Sequence, residues 1–153
     1  MGGVPTWPRL LGLAGLLPQL GFLLTAVFAS DSLSQAARIL GAAYAGLIFT
    51  FLGGAWWGIA ASAPAAERRN ALAWLWIASV LPSLMVLSFV GLWLEGWLVL
   101  EQILVMLGAS LVIALAVDAR IGTLAPRWWM QLRVPLSTGL GLATLALALV
   151  PMR

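Results

Sequence analysis

Five long apolar runs, separated by short polar connections, most constrain how this chain can fold. They cover residues 10–29, 39–61, 71–91, 98–117 and 134–150. A helix needs about 20 mainly apolar residues to cross the hydrocarbon core of a bilayer, and each run approaches that length. No connection is long enough to hold a soluble domain. The pattern predicts an all-α polytopic membrane protein, with five transmembrane helices in one bundle and residues 1–153 as a single domain.

Composition supports a membrane protein and excludes several kinds of chemistry. Hydrophobic residues make up 63% of the chain and charged residues only 8%, which is outside the range of ordinary globular domains. Cysteine and histidine are absent, which removes disulfides, thiolate nucleophiles, Cys/His zinc sites and histidine-ligated haem. Every basic residue is arginine, so lysine Schiff bases are excluded as well.

The sequence also lacks the usual patterns of an enzyme active site. It shows no nucleophile with a base, no paired carboxylates on one helix face and no phosphate-binding glycine loop. The arginines flank apolar runs and form no basic patch of the kind that binds nucleic acid. We therefore expect no enzymatic activity, no cofactor, no metal and no nucleic-acid partner.

The arginines predict how the protein is oriented. Because short cytoplasmic flanks of membrane helices are enriched in Arg and Lys, the side with more arginines is expected to face the cytoplasm. That rule places the N-terminus in the cytoplasm and the C-terminus outside. Six arginines lie on the N-terminal side and two on the other: Arg9, Arg68, Arg69, Arg120, Arg127 and Arg133 against Arg38 and Arg153.

The first run could be a cleavable signal peptide or a membrane span. It is longer than a typical signal-peptide core and has Pro18 at its centre. We expect an uncleaved first span.

The second run is unusually rich in small residues. In lipid, small side chains let helix backbones approach closely. A ridge without a large side chain is therefore expected to be a helix-packing surface, received either by another helix of this chain or by a partner. Gly54→Leu is then expected to disrupt the bundle. Steps of four residues give this ridge: Ala42, Gly46, Thr50, Gly54, Gly58 and Ser62.

Two spans contain a central proline, Pro18 in the first and Pro82 in the third. A proline inside a helix frees a carbonyl one turn earlier, here at Ala14 and Ala78. In the third span, Ser79 and Ser83 could donate a hydrogen bond to the Ala78 carbonyl. We predict a kink at each proline. The kinks could form a hinge or the unwound part of a transport site, but a static bend that shapes the bundle is favoured.

Glu101 is the one carboxylate placed at membrane depth, about one turn inside the fourth run. Ionisable groups at such depth are candidates for function. A proton or cation relay would need partners such as Tyr44, Ser88 or Gln19. The favoured alternative is a carboxylate in the first helical turn, stabilised by the helix dipole, because no buried basic partner is evident.

The segment 125–133, before the fifth run, combines aromatic and basic residues. Its tryptophans Trp128 and Trp129 could lie in the inner leaflet while Arg127 and Arg133 reach lipid phosphates. A plain solvated loop is the alternative. In the same loop Asp118 could form an ion pair with Arg120 or Arg127 that closes this face and contributes little if it is exposed.

Most of the tryptophans lie near the ends of the runs, which is typical of the aromatic belt at a membrane interface. Trp56 and Trp57 lie about one turn inside the second run. We interpret them as belt or packing residues, with a groove for lipid or ligand as the alternative.

Four segments carry a resemblance to a known family: Gly12–Pro18, Phe51–Gly58, Ser79–Ser83 and Ala125–Arg133. In this order they resemble small bacterial inner-membrane proteins of unknown function, a family that looks related to the mitochondrial transmembrane protein 69 of animals. The resemblance implies a multi-span membrane protein and brings no catalytic residues. Pro135 departs from the pattern. The most specific positions are Phe51, Leu52, Gly53, Gly54, Trp57 and Gly58.

Two functions fit these observations. The favoured one is a non-enzymatic accessory or assembly subunit of a larger membrane complex, or a lipid-interacting element. Its partners would be the lipid bilayer and other membrane subunits or further copies of itself. The alternative is a small transporter or channel that uses the Pro18 and Pro82 kinks and Glu101.

Overall fold

The computed structural model describes residues 3–63 and 72–151, and all of the regular structure in these ranges is helical. A short 3-10 turn at Gly122–Leu124 follows the fifth helix. The helices are α1 (Thr6–Ala14), α2 (Leu17–Phe28), α3 (Asp31–Ser62), α4 (Ala73–Leu94), α5 (Leu100–Ile121) and α6 (Trp129–Leu149).

The predicted five spans are confirmed. Within the described residues, five helical stretches are long and apolar enough to cross a membrane, with α1 and α2 together forming the first. Two helices begin five or more residues before the predicted start of their span. Helix α3 begins at Asp31, where a carboxylate in the first turn complements the helix dipole. Helix α6 begins at Trp129, after a turn in which the Trp129 amide donates to the Pro126 carbonyl.

The helices run up and down between two ends of the bundle. The near end holds the start of α1, the end of α3, the start of α4, the end of α5 and the start of α6. The far end holds the ends of α2, α4 and α6 and the starts of α3 and α5. Helix α3 packs against α2, α4, α5 and α6, so the glycine-rich span is central to the bundle. Arg68, Arg69 and Arg153 lie outside the described residues, and the orientation stays a prediction.

The first span is broken near Pro18. Helix α1 ends at Ala14 and α2 begins at Leu17. Pro18 lies in the first turn of α2, where its missing N–H leaves no helical hydrogen bond unmade. The Tyr44 hydroxyl donates to the Gly15 carbonyl at 2.6 Å. The expected kink is therefore a two-helix break, held by a hydrogen bond from α3.

Pro82 behaves differently from Pro18. It is buried inside α4, which continues without interruption from Ala73 to Leu94. The Ser79 hydroxyl donates to the Trp76 carbonyl at 2.7 Å. The expectation that this serine serves the Ala78 carbonyl is wrong.

The small-residue ridge is a contact within the chain over only part of its length. At Gly46 an added Cβ would lie 3.2 Å from Val86 of α4, whereas at Gly54 and Gly58 it would meet no described atom within 4 Å. Thr50 is half-buried and its hydroxyl donates to Leu47 of its own helix. For contacts among the described helices, the prediction that the ridge is a packing surface is therefore wrong at Gly54 and Gly58.

The close helix contact lies one residue away, at Gly53. A Cβ there would come within 3 Å of the Ser79 carbonyl oxygen and 3.2 Å from the Pro82 ring. The physical reason is helical phase. A helix has 3.6 residues per turn, so each step of four residues rotates the side chain by about 40° beyond a full turn. A ridge that faces α4 at Gly46 has therefore turned away by Gly54.

Candidate functional site

A buried carboxylate connects three helices at the near end. Asp118 of α5 is 1% exposed. Its Oδ1 accepts hydrogen bonds from Trp56 Nε1 of α3 at 2.8 Å and from Trp129 Nε1 of α6 at 3.0 Å. Its Oδ2 accepts from Arg133 Nε at 2.8 Å. Three donors therefore converge on one carboxylate.

Arg133, on α6, continues this hydrogen-bonded cluster. It is buried, and its Nη2 donates to the Ser137 hydroxyl one turn further along the same helix at 2.7 Å. We call Trp56, Asp118, Trp129, Arg133 and Ser137 the near-end cluster. A buried ion pair is sustained only when further hydrogen bonds satisfy both charges, and the cluster supplies them.

The near-end cluster corrects several sequence-based predictions. Asp118 pairs with Arg133, so the suggested ion pair with Arg120 or Arg127 is wrong. Arg120 instead lies over the Trp74 ring, 4.9 Å from its centroid. Arg133 does not reach out to lipid phosphates, because it is buried on Asp118.

The tryptophans near this cluster also differ from a simple interfacial belt. Trp56 is fully buried, and Trp129 turns its indole N–H inward to Asp118. Arg127 is exposed and Trp128 and Trp129 are both half-buried, so Arg133 is the one of the four predicted interfacial residues that is buried. Trp57, in the family motif, packs edge-to-face on Trp76 of α4 with ring centroids 4.6 Å apart.

An apolar cavity of about 360 Å³ borders the near-end cluster. Leu11 of α1 and Phe51 of α3 are 67% and 69% exposed, so the cavity opens to the surface of the bundle between these helices. Arg133, Ser137 and Trp129 link its wall to the cluster. The lining residues are Pro8, Leu11, Gly12, Gly15, Leu16, Ile48, Phe51, Leu52, Ala55, Leu111, Trp128, Trp129, Leu132, Arg133, Leu136, Ser137 and Leu140.

A second ion pair lies at the far end. Arg38 of α3 is 1% exposed, and its Nη2 donates to Glu101 Oε1 of α5 at 2.5 Å. The Glu101 side chain keeps 34% of its surface exposed. The premise that Glu101 has no buried basic partner is therefore wrong.

The three partners suggested for Glu101 are engaged elsewhere. Tyr44 donates to Gly15, and Ser88 donates to the Leu84 carbonyl of its own helix. Gln19 is fully buried and donates through Nε2 to the Thr144 hydroxyl at 2.9 Å. No relay through these side chains connects to Glu101 in the described residues. The same part of the chain contains no group of three His, Cys, Asp or Glu side chains that could hold a metal ion.

Five apolar helical stretches, with α3 at their centre and an ion pair at each end of the bundle, define a multi-pass helical membrane protein. The family described as "Protein of unknown function (DUF3429)" matches residues 4–149, and the chain belongs to this family. No curated protein matches the chain, and no solved structure does.

Proposed function

We propose that this protein is a non-enzymatic integral protein of the bacterial inner membrane that acts as a lipid-interacting or accessory element. The near-end cavity carries the proposal. Its volume of about 360 Å³ is in the range of roughly 300–1,000 Å³ typical of small-molecule sites. It opens on the side of the bundle, where lipid tails are the available molecules.

The near-end cluster supports a structural role for its charged groups. Asp118 already accepts three hydrogen bonds, and Arg133 is held by both Asp118 and Ser137. A general base must be free to take a proton from a substrate within hydrogen-bond reach. A buried carboxylate that already accepts three hydrogen bonds meets that requirement poorly, which favours a binding or packing function over catalysis.

The exposed part of the α3 ridge supports an accessory role. A Cβ added at Gly54 or Gly58 would meet no side chain and no other helix within 4 Å among the described residues, and small residues favour helix association in lipid. We propose that a helix of a partner protein, or of a second copy of this chain, packs on that surface. We also propose a relationship to the mitochondrial transmembrane protein 69 of animals, which rests on the resemblance of the four segments taken together, with Phe51–Gly58 as the most specific.

Purification from native membranes in mild detergent, followed by native mass spectrometry, tests the proposal. We expect the protein to retain a phospholipid, a second membrane protein or both, because the cavity and the α3 ridge are open. A bare, monodisperse monomer from several mild detergents would contradict the proposal.

A transporter is the second candidate, favoured by the far-end ion pair and by the broken first span. In proteoliposomes, ion or proton flux that is lost in Glu101→Gln would support it. The matched control is Glu95→Gln, since Glu95 is exposed after the end of α4. Our leading proposal expects no flux in the unmodified protein or in either variant, and a flux abolished only by Glu101→Gln would replace it.

A further inference from the structure

We propose that the near-end cavity binds an anionic glycerophospholipid, with one acyl chain inside the cavity and the headgroup beside Arg127 and Arg9. This inference rests on the proposed function, because it names the ligand of the same cavity. The ligand comes from the surrounding membrane as an intact phospholipid. The shape of the cavity, the hydrogen bonding of Arg133 and the charges near the opening each support it.

The walls of the cavity fit an acyl chain. The residues that line it are aliphatic or aromatic except for the pair Arg133 and Ser137 at the cluster. The opening lies between α1 and α3, beside the exposed side chains of Leu11 and Phe51. A lipid tail can therefore enter laterally from the bilayer. A water-soluble ligand would have to cross apolar surface to reach the same space.

Arg133 fixes which part of the lipid lies beside the cluster. Its Nε and Nη2 donate to Asp118 and Ser137, while Nη1 has no acceptor among residues 3–63 and 72–151. The charge of Arg133 is already balanced by Asp118. A neutral oxygen acceptor, such as the ester carbonyl at the top of an acyl chain, suits Nη1 better than a phosphate, which would bring a full negative charge into a neutral site.

The charges near the opening favour an anionic headgroup. Arg9 follows Pro8 and Arg127 precedes Trp128, two residues that line the cavity, and both arginines are exposed. Among the described residues, the acidic residue at this end is Asp118, which is buried and already paired with Arg133. Exposed arginines at a membrane surface attract anionic lipids.

Native mass spectrometry of delipidated protein in mixed micelles tests the inference. The probes are phosphatidylglycerol, which is anionic, and phosphatidylcholine of the same acyl composition, which is zwitterionic. Each arginine near the headgroup is expected to favour the anionic lipid by about fivefold at low ionic strength. We expect one tightly held phosphatidylglycerol per chain and weaker retention of phosphatidylcholine.

Two pairs of variants separate the acyl site from the headgroup site. Ala55→Phe fills the cavity and should remove binding of both lipids, whereas Ala43→Phe, on an exposed part of α3 outside the cavity, should not. Arg127→Gln should lower the preference for phosphatidylglycerol about fivefold. Arg120→Gln, at the same end but placed over Trp74, should leave that preference unchanged.

The outcomes distinguish this inference from the function on which it rests. Equal binding of the two lipids, blocked by Ala55→Phe, would overturn the anionic headgroup and leave the lipid-binding function intact. Binding unaffected by Ala55→Phe would overturn the cavity as the site. If the protein binds neither lipid, the proposal that it is a lipid-interacting element is overturned, and the accessory role is left. If Ala55→Phe does not give folded protein, Ala55→Leu provides the same test with a smaller volume change.

Discussion

Replacing Gly53 by leucine should prevent α3 and α4 from packing and lower the stability of the bundle by about 3 kcal/mol or more, at the upper end of overpacking effects. The reason is geometric. Even a Cβ at this position would come within 3 Å of the Ser79 carbonyl oxygen, which belongs to a helix backbone and cannot move aside as a flexible side chain would. Thermal denaturation in detergent, followed by tryptophan fluorescence, measures the loss.

Gly54→Leu is the matched control, because it changes the adjacent residue of the same helix in the same way. No described atom lies within 4 Å of a Cβ at Gly54, so the purified monomer should denature within a few degrees of the unmodified protein. This reverses the expectation drawn from the four-residue ridge. Equal losses at the two positions, or a loss confined to Gly54, would show that α3 is rotated relative to this structure.

Asp118→Asn should be the second large effect, with a loss of about 3–5 kcal/mol, the range for breaking a buried ion pair by neutralising one partner. The amide of asparagine can still accept from the two indoles. However, it leaves Arg133 as a buried charge without a counterion. Denaturation of the purified protein at neutral pH measures this loss.

The double variant Asp118→Asn with Arg133→Gln removes both charges while keeping hydrogen-bonding groups, and it should recover most of the stability. Asp31→Asn is the control, since Asp31 is exposed in the first turn of α3, where a change should stay within about 0.5 kcal/mol. A single Asp118→Asn variant as stable as the unmodified protein would show that the near-end cluster does not hold the helices together.

The number and places of the spans could be predicted from the sequence because apolar length alone decides them. The order of the spans along the chain follows from the same property, whereas the packing role of the glycine-rich span is indicated by its small residues. The phase of α3 could not be predicted. Gly53 and Gly54 are equally small, so the sequence does not show which of them faces a neighbouring helix. Successive residues of a helix point about 100° apart, and in the structure Gly53 faces α4 whereas Gly54 faces no other described helix.

The near-end cluster was missed because its charges stand at the ends of apolar runs, where Asp118 and Arg133 resemble ordinary solvated flanks. One signal was available. Trp56 lies inside an apolar run, and a buried indole N–H usually finds a hydrogen-bond partner. The sequence could show that a partner was needed, but only the packing of α3 against α5 and α6 identifies Asp118.

Arg38 was missed for a related reason. Arg38 is one of the two arginines on the far side, and its position next to an apolar run is explained by membrane orientation alone. The neighbouring residues in the sequence do not indicate that its side chain is buried. Its pairing with Glu101 depends on the register between α3 and α5, helices separated by α4 in the chain. Such register is a tertiary property that the pattern of apolar runs leaves open.

The most direct measurement of the central claim is photo-crosslinking from inside the cavity. A diazirine analogue of leucine at Leu136, which lines the cavity, would be activated in native membranes and its products identified by mass spectrometry. The same analogue at the fully buried Leu104, which lies outside the cavity lining, is the control. A phospholipid adduct at position 136 and none at position 104 is the predicted result; crosslinks at 136 only to protein would contradict a lipid in the cavity.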